Sequence, residues 1–198
     1  MKRRYPLHNF KRSAPILKEL RAIKSALEVD VMQKAIDITD NTFRRLLGFI
    51  RPGVMEYEIE AELMHEFLRN RSKGFAYTPI IASGENANVL HYIANNMPCK
   101  DGDVILLDVG AEYANYSSDL TRMIPVNGKF TARQKEIYNA VLDMKNFATS
   151  LLVPGNNWYD YHKECGEFYT SKFLELGLLD KADVQNQDKN WPAYKKYM

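Results

Sequence analysis

Apolar positions along this chain form four helical patterns and a few short extended ones. Ser25-Ala26-Leu27-Glu28 reads as a capping box, in which the serine oxygen accepts from an early backbone N–H and the glutamate reaches back to the cap. Behind it Met32, Ile36, Thr39, Phe43, Leu46, Leu47 and Ile50 recur at helical spacing, and Arg51-Pro52-Gly53 ends that helix. A second helix is expected from about Glu56 to Arg69, with Leu63, Met64, Phe67 and Leu68 inward. Ala76 to Ala82 reads as a strand in which Pro79 argues for an edge or a bulge. After the Asp101-Gly102-Asp103 turn, Val104 to Val109 is a nearly unbroken apolar run, short enough for a buried strand, and residues 111–126 read as the return arm of a hairpin. Thr131-Ala132-Arg133-Gln134 is a further capping box, followed by Ile137, Val141, Met144, Ala148 and Leu151 on a third helix that Pro154-Gly155 breaks. A fourth helix runs from about Asn157 to Leu176, where Gly177 stops it. The polar stretch from Asp180 to Asn190 reads as a loop, and Trp191-Pro192-Ala193-Tyr194 as the start of another element.

This order contains an echo. Residues 52–58, beginning Pro52-Gly53, match residues 154–160, beginning Pro154-Gly155, at a constant offset of 102. In both places a long capped helix precedes the Pro-Gly and another helix follows. The first unit, residues 25–127, reads helix, helix, strand, hairpin. The second starts at residue 131 and has room, up to residue 198, for its two helices only. Residues 1–24 stand apart as a basic arm and connector.

Composition adds exclusions. With 198 residues, 45% hydrophobic and 26% charged, the chain suits one soluble globular domain or a piece of a larger one, and not a disordered or low-complexity segment. No charge-free apolar window reaches the ~18 residues of a membrane span, and no apolar core follows the basic N-terminus, so neither a membrane partner nor a secretory signal is expected. Two cysteines, Cys99 and Cys165, are too few for a disulfide framework and point to a reduced, cytoplasmic setting. The net charge of +2 hides an asymmetry: residues 1–27 carry eight Lys/Arg against one acid, and the remainder is net acidic. A basic arm can contact nucleic acid, but no recognition motif lies behind this one, and a solvated segment is the simpler expectation.

The residues best suited to chemistry are Asp108, embedded in the apolar run, and Asp119, eleven positions later. An unpartnered carboxylate in such a strand is costly. A hairpin turning near Tyr113-Ala114 would set the two aspartates directly opposite each other on one face, where like charges repel. Either one carboxylate takes up a proton, as in an acid dyad, or cations sit between them, and oxygen ligands suit hard divalent ions such as Mn²⁺ or Mg²⁺. The plainer alternative is one buried aspartate capping a turn and one exposed in a loop.

Ser83-Gly84-Glu85-Asn86-Ala87-Asn88-Val89-Leu90-His91-Tyr92, Leu107-Asp108-Val109-Gly110-Ala111-Glu112-Tyr113, Ser118-Asp119-Leu120-Thr121-Arg122 and Val126-Asn127-Gly128-Lys129-Phe130-Thr131 together resemble the Xaa-Pro aminopeptidases, the proline-specific branch of the pita-bread metallopeptidases. The resemblance covers about residues 14–198. It implies an α/β (α+β) fold, an incomplete pita-bread (creatinase/aminopeptidase) domain made of the first αα-ββ repeat plus the helices of the second. It also implies roles: Asp108 a chelating metal ligand, Asp119 a bridge between two divalent metals, Mn²⁺ by expectation, His91 a substrate contact that moves protons or stabilises the intermediate, and Thr121 a support for the ligand shell. The implied substrate is a peptide with proline in second position, attacked by a metal-bridging hydroxide. The family completes its metal site with a histidine and two glutamates on strands of the second repeat. Those strands are not expected here; His162, Glu164, Glu167 and Glu175 fall in a predicted helix outside the motif. The expectation is therefore a truncated catalytic domain that by itself binds metal weakly or not at all, is inactive, and self-associates through its open sheet. A non-catalytic binding module of the same fold is the alternative.

Overall fold

The computed structural model describes residues 3–188 and 191–197 and divides into two compact units, residues 1–129 and 130–198. The first unit opens with α1 (Ala14–Ala22), a helix with no buried residue, where the sequence suggested only a connector. Next come α2 (Ala26–Phe49) and α3 (Glu56–Arg69). The capping box at Ser25 and Glu28 is present, and the Ile50 N–H closes α2 onto the Leu46 carbonyl. The inward face of α2 keeps Thr39, Leu46 and Ile50 of the expected set, with Phe43 packed against the core, and adds Ala35, Ile38 and Thr42, whereas Ile36 and Leu47 are 46% and 53% exposed. Small and hydroxyl side chains at Ala35, Thr39 and Thr42 let the helix approach the strands closely. On α3, Ile59, Leu63 and Phe67 are fully buried, and Leu68 turns outward.

Six strands follow: β1 (Gly74–Phe75), β2 (Ile80–Ser83), β3 (Val104–Val109), β4 (Ala111–Tyr113), β5 (Tyr116–Ser117) and β6 (Leu120–Pro125). They build two antiparallel sheets, ordered β1-β4-β5 and β2-β3-β6. The expected strand at 76–82 is thus split, with residues 76–79 lying between β1 and β2; Pro79, which has no N–H to give a ladder, sits in the gap. Burial on β3 alternates strictly. Ile105, Leu107 and Val109 pack into the core with Leu46, Ile59 and Phe67, while Val104, Leu106 and Asp108 are half-buried on the other side. The apolar run is therefore buried on one face, and the other carries the chemistry.

The hairpin turns at Ala114-Asn115, one residue later than expected. Both residues have positive φ, 50° and 68°, as a two-residue hairpin loop of the primed type requires, and Tyr113 pairs with Tyr116 across it. This register sets Asp108 opposite Thr121, not opposite Asp119. Where the arms change sheets they almost touch: a Cβ on Gly110 would stand 2.1 Å from the Ser118 carbonyl oxygen, so only glycine fits there.

The second unit holds α4 (Ala132–Ser150), capped by Thr131 and Gln134, and α5 (Trp158–Glu175), capped by Asn157. Its own core joins Ala140, Met144, Phe173, Leu176 and Leu179. Gly53 and Gly155, the glycines of the two Pro-Gly turns, adopt the same conformation, φ 93° and 91°. The polar stretch after Asp180 is not all loop. Asp180 and Asp183 form a capping box that starts α6 (Lys181–Gln185), and a 3₁₀ turn covers Ala193–Tyr197. No helix among the described residues is long and apolar enough to cross a membrane. Cys99 and Cys165 are buried free thiols.

Candidate active site

Asp108 comes from the solvent-side face of β3, and Asp119 lies two residues ahead of its cross-strand partner Thr121. With a side-chain period of two, Asp119 and Thr121 share a side of their arm, so the aspartates are diagonal neighbours on one face. The directly opposed arrangement expected from the sequence is thereby corrected. Both carboxyl groups converge on one group absent from the sequence reading, the hydroxyl of Tyr77. It donates to Asp108 Oδ1 at 2.7 Å and lies 3.1 Å from Asp119 Oδ1. Burial, then the hydrogen bond to Asp108 and the charges of both aspartates, push the Tyr77 pKa well above its ordinary value, so the hydroxyl keeps its proton. One phenolic hydrogen cannot serve two carboxylates in full, which leaves the pair short of positive charge.

A buried polar knot sets the position of Asp119. The Ala111 N–H donates to Thr39 Oγ1 and to Ser118 Oγ, both at 2.9 Å, and the two hydroxyls lie 2.7 Å apart. This fastens α2 to the hairpin at the residue before Asp119. The sheet holds Asp108, and Thr121 faces it across the ladder at an exposed position.

Tyr77, Thr78, Ile80, His91, Ile93, Asp108 and Asp119 line a cavity of about 490 Å³. Of the four residues singled out from sequence, three meet there; Thr121 adjoins through the ladder. His91 is exposed and has φ 54°, in the left-handed region that few residues other than glycine enter. It sits on the long segment between β2 and β3. His162 lies exposed on α5, edge-on to the Trp158 ring at 4.7 Å between centroids. Tyr77 had one sequence signal: a tyrosine in a strand-like, partly buried run needs a partner for its hydroxyl.

Residues 30–190 match the model of metallopeptidase family M24. The chain is 44% identical over 170 residues to the Xaa-Pro aminopeptidase of Haemophilus influenzae, a match covering 86% of this chain and 39% of that protein. It is 40% identical over 170 residues to the Xaa-Pro aminopeptidase of Escherichia coli, covering 86% and 38%. Among solved structures, proline aminopeptidase P II from Yersinia pestis superposes with a TM-score of 0.82 at 39% identity, covering 85% of this chain and 38% of that one. Zinc-substituted Escherichia coli aminopeptidase P in complex with product gives the same values. The chain thus spans less than half the length of the relatives it matches, and its helices and sheets form part of the pita-bread architecture. The chain belongs to metallopeptidase family M24.

Proposed function

We propose that this chain carries the aspartate and histidine part of the active site of a peptidase that cleaves the bond between an N-terminal residue and a following proline. The convergence of Asp108 and Asp119 on one hydroxyl, in a cavity that His91 also lines, is the observation that supports this reading. The donor set suits hard divalent cations such as Mn²⁺ or Mg²⁺, because both aspartates present oxygen and together lack positive charge. It is incomplete: among the described residues no group of three or more His, Cys, Asp and Glu could hold a metal ion. Asp108 and Asp119 would each supply one carboxylate to divalent ions held there, with Thr121 behind them. Bound divalent ions supply an acidified water and polarise the scissile carbonyl. The chain's own residues do the rest. His91 contacts the peptide and either helps move protons or stabilises the intermediate. Ile80 and Ile93 give apolar wall for a proline ring. Tyr77 fixes the direction of both carboxylates. The uncovered face and free edge of the β2-β3-β6 sheet favour association with a second copy.

Isothermal calorimetry with Mn²⁺ tests the reading. The chain should bind Mn²⁺ weakly or not at all, and Asp108→Asn should remove any binding there is; tight binding of two ions by the chain alone, or binding that survives Asp108→Asn, overturns it. In a longer polypeptide carrying this sequence, Asp108→Ala should abolish Xaa-Pro hydrolysis.

A further inference from the structure

The segment between β2 and β3 that carries His91 has almost no regular structure, only a 3₁₀ turn at Gly84–Asn88. Its placement therefore needs an anchor, and the structure contains one. Glu56, the first residue of α3, is fully buried. Its Oε1 accepts from the Ser83 N–H at 2.8 Å and from Asn86 Nδ2 at 3.0 Å. Its Oε2 accepts from the Tyr92 hydroxyl at 2.7 Å and from the Met97 N–H at 3.0 Å. Two of these donors precede His91 in the chain and two follow it. The Asn86 amide also reaches the Tyr92 hydroxyl at 3.1 Å, closing the loop of contacts over His91. Backbone pairing repeats the attachment: the Glu56 N–H donates to the Met97 carbonyl at 3.0 Å.

We propose that Glu56 is a positioning residue for His91, clamping the segment on both sides so that the imidazole-bearing residue is held in the left-handed conformation at the mouth of the aspartate cavity. A non-glycine residue with positive φ costs free energy and persists where its surroundings over-determine it. Four hydrogen bonds to one buried carboxyl group provide that determination. Asn95 pins the segment separately, accepting from the Ile81 N–H at 3.0 Å and donating to Glu60 Oε2 at 2.9 Å, but only on the far side of His91. The part of the segment from Asn86 to Tyr92 depends on Glu56. That His91 then serves peptide hydrolysis rests on the function proposed above; the clamp itself does not.

Glu56→Gln keeps size and shape but turns an NH₂ towards groups that donate. Tyr92→Phe removes one donor and leaves the buried group in place. Amide exchange and the NMR couplings that report the sign of φ give the readout on the whole chain. In Glu56→Gln the amides of residues 85–92 should exchange roughly tenfold faster relative to those of β3, as expected when one buried acceptor is lost, and His91 should lose its positive φ. Tyr92→Phe should show the same change, smaller, in the same residues. Glu56→Asp should restore part of the protection. A His91 that keeps positive φ and unchanged exchange in Tyr92→Phe and in whichever Glu56 variant folds overturns the proposal, and so does a rise in exchange that β3 shares equally. If the clamp passes and a longer polypeptide carrying this sequence with Asp108→Ala still hydrolyses Xaa-Pro peptides, the functional reading falls and the clamp stands.

Discussion

Tyr77 shows how much of this site depends on residues that take no charge. Its hydroxyl lies between Asp108 and Asp119, and its raised pKa keeps it a donor at neutral pH. Tyr77→Phe should leave two carboxylates on one face without a shared donor. A loss of about 1–2 kcal/mol in urea unfolding is expected from removing a hydrogen bond to a charged acceptor, and adding Asp119→Asn to it should recover part of that loss by removing the repulsion. Unchanged unfolding midpoints in Tyr77→Phe would show that the hydroxyl does not hold the pair. Asp108, Asp119 and His91 were legible in the sequence because each lies in a short run of characteristic neighbours. Tyr77 and Glu56 were not, because their importance arises only when residues 31 or 42 positions away, in the case of Tyr77, fold against them. Glu56 looks in sequence like an ordinary acid in the first turn of a helix; burial and four donors from a distant segment give it another meaning.

At the scale of elements, caps were the most readable feature. α3 spans Glu56–Arg69 as expected, and the boxes at Ser25 and Thr131 both form. The Ser25 box does more than start a helix. The Tyr116 hydroxyl donates to Glu28 Oε1 at 2.6 Å, tying the start of α2 to the hairpin. That bond first, then those from the Ser25 N–H and hydroxyl, lower the Glu28 pKa from its ordinary 4.5 to about 2. A carboxyl group whose pKa is depressed by folding adds stability above its unfolded pKa and loses it as pH falls through the folded one. Stability of the native chain should therefore drop more steeply between about pH 4.5 and pH 2 than that of Glu28→Gln, measured as unfolding midpoints across that range; parallel curves would remove Glu28 from the acid response. The hairpin tip was read one residue too early, because alternation of apolar positions gives a strand's faces but not where its turn lies. Two consecutive residues with positive φ decide that, and Ala114 offers no compositional hint. On α2 the pattern finds Thr39, Leu46 and Ile50 but not Ala35 and Thr42, small or hydroxyl side chains that pack closely and that a hydrophobic pattern ignores.

For the whole molecule, every residue of the candidate site and each of its hydrogen-bond partners lies in the first unit, residues 1–129, which has its own core. The helix pairs and the hairpin were legible; the two-sheet arrangement was not, since the change of sheet at Gly110 depends on how closely the arms approach. β6 is an edge strand with exposed Thr121, Arg122 and Met123. Light scattering should give a mass approaching about twice 22.9 kDa as concentration rises, and a constant single-chain mass at high concentration would count against pairing through this face. The hairpin register carries a genetic corollary. Because side chains alternate, losing or gaining a single codon at the Ala114-Asn115 tip would swing everything downstream to the reverse side of the sheet. Such an indel would erase the acidic pair as thoroughly as deleting Asp119, although the encoded charge would be unaltered.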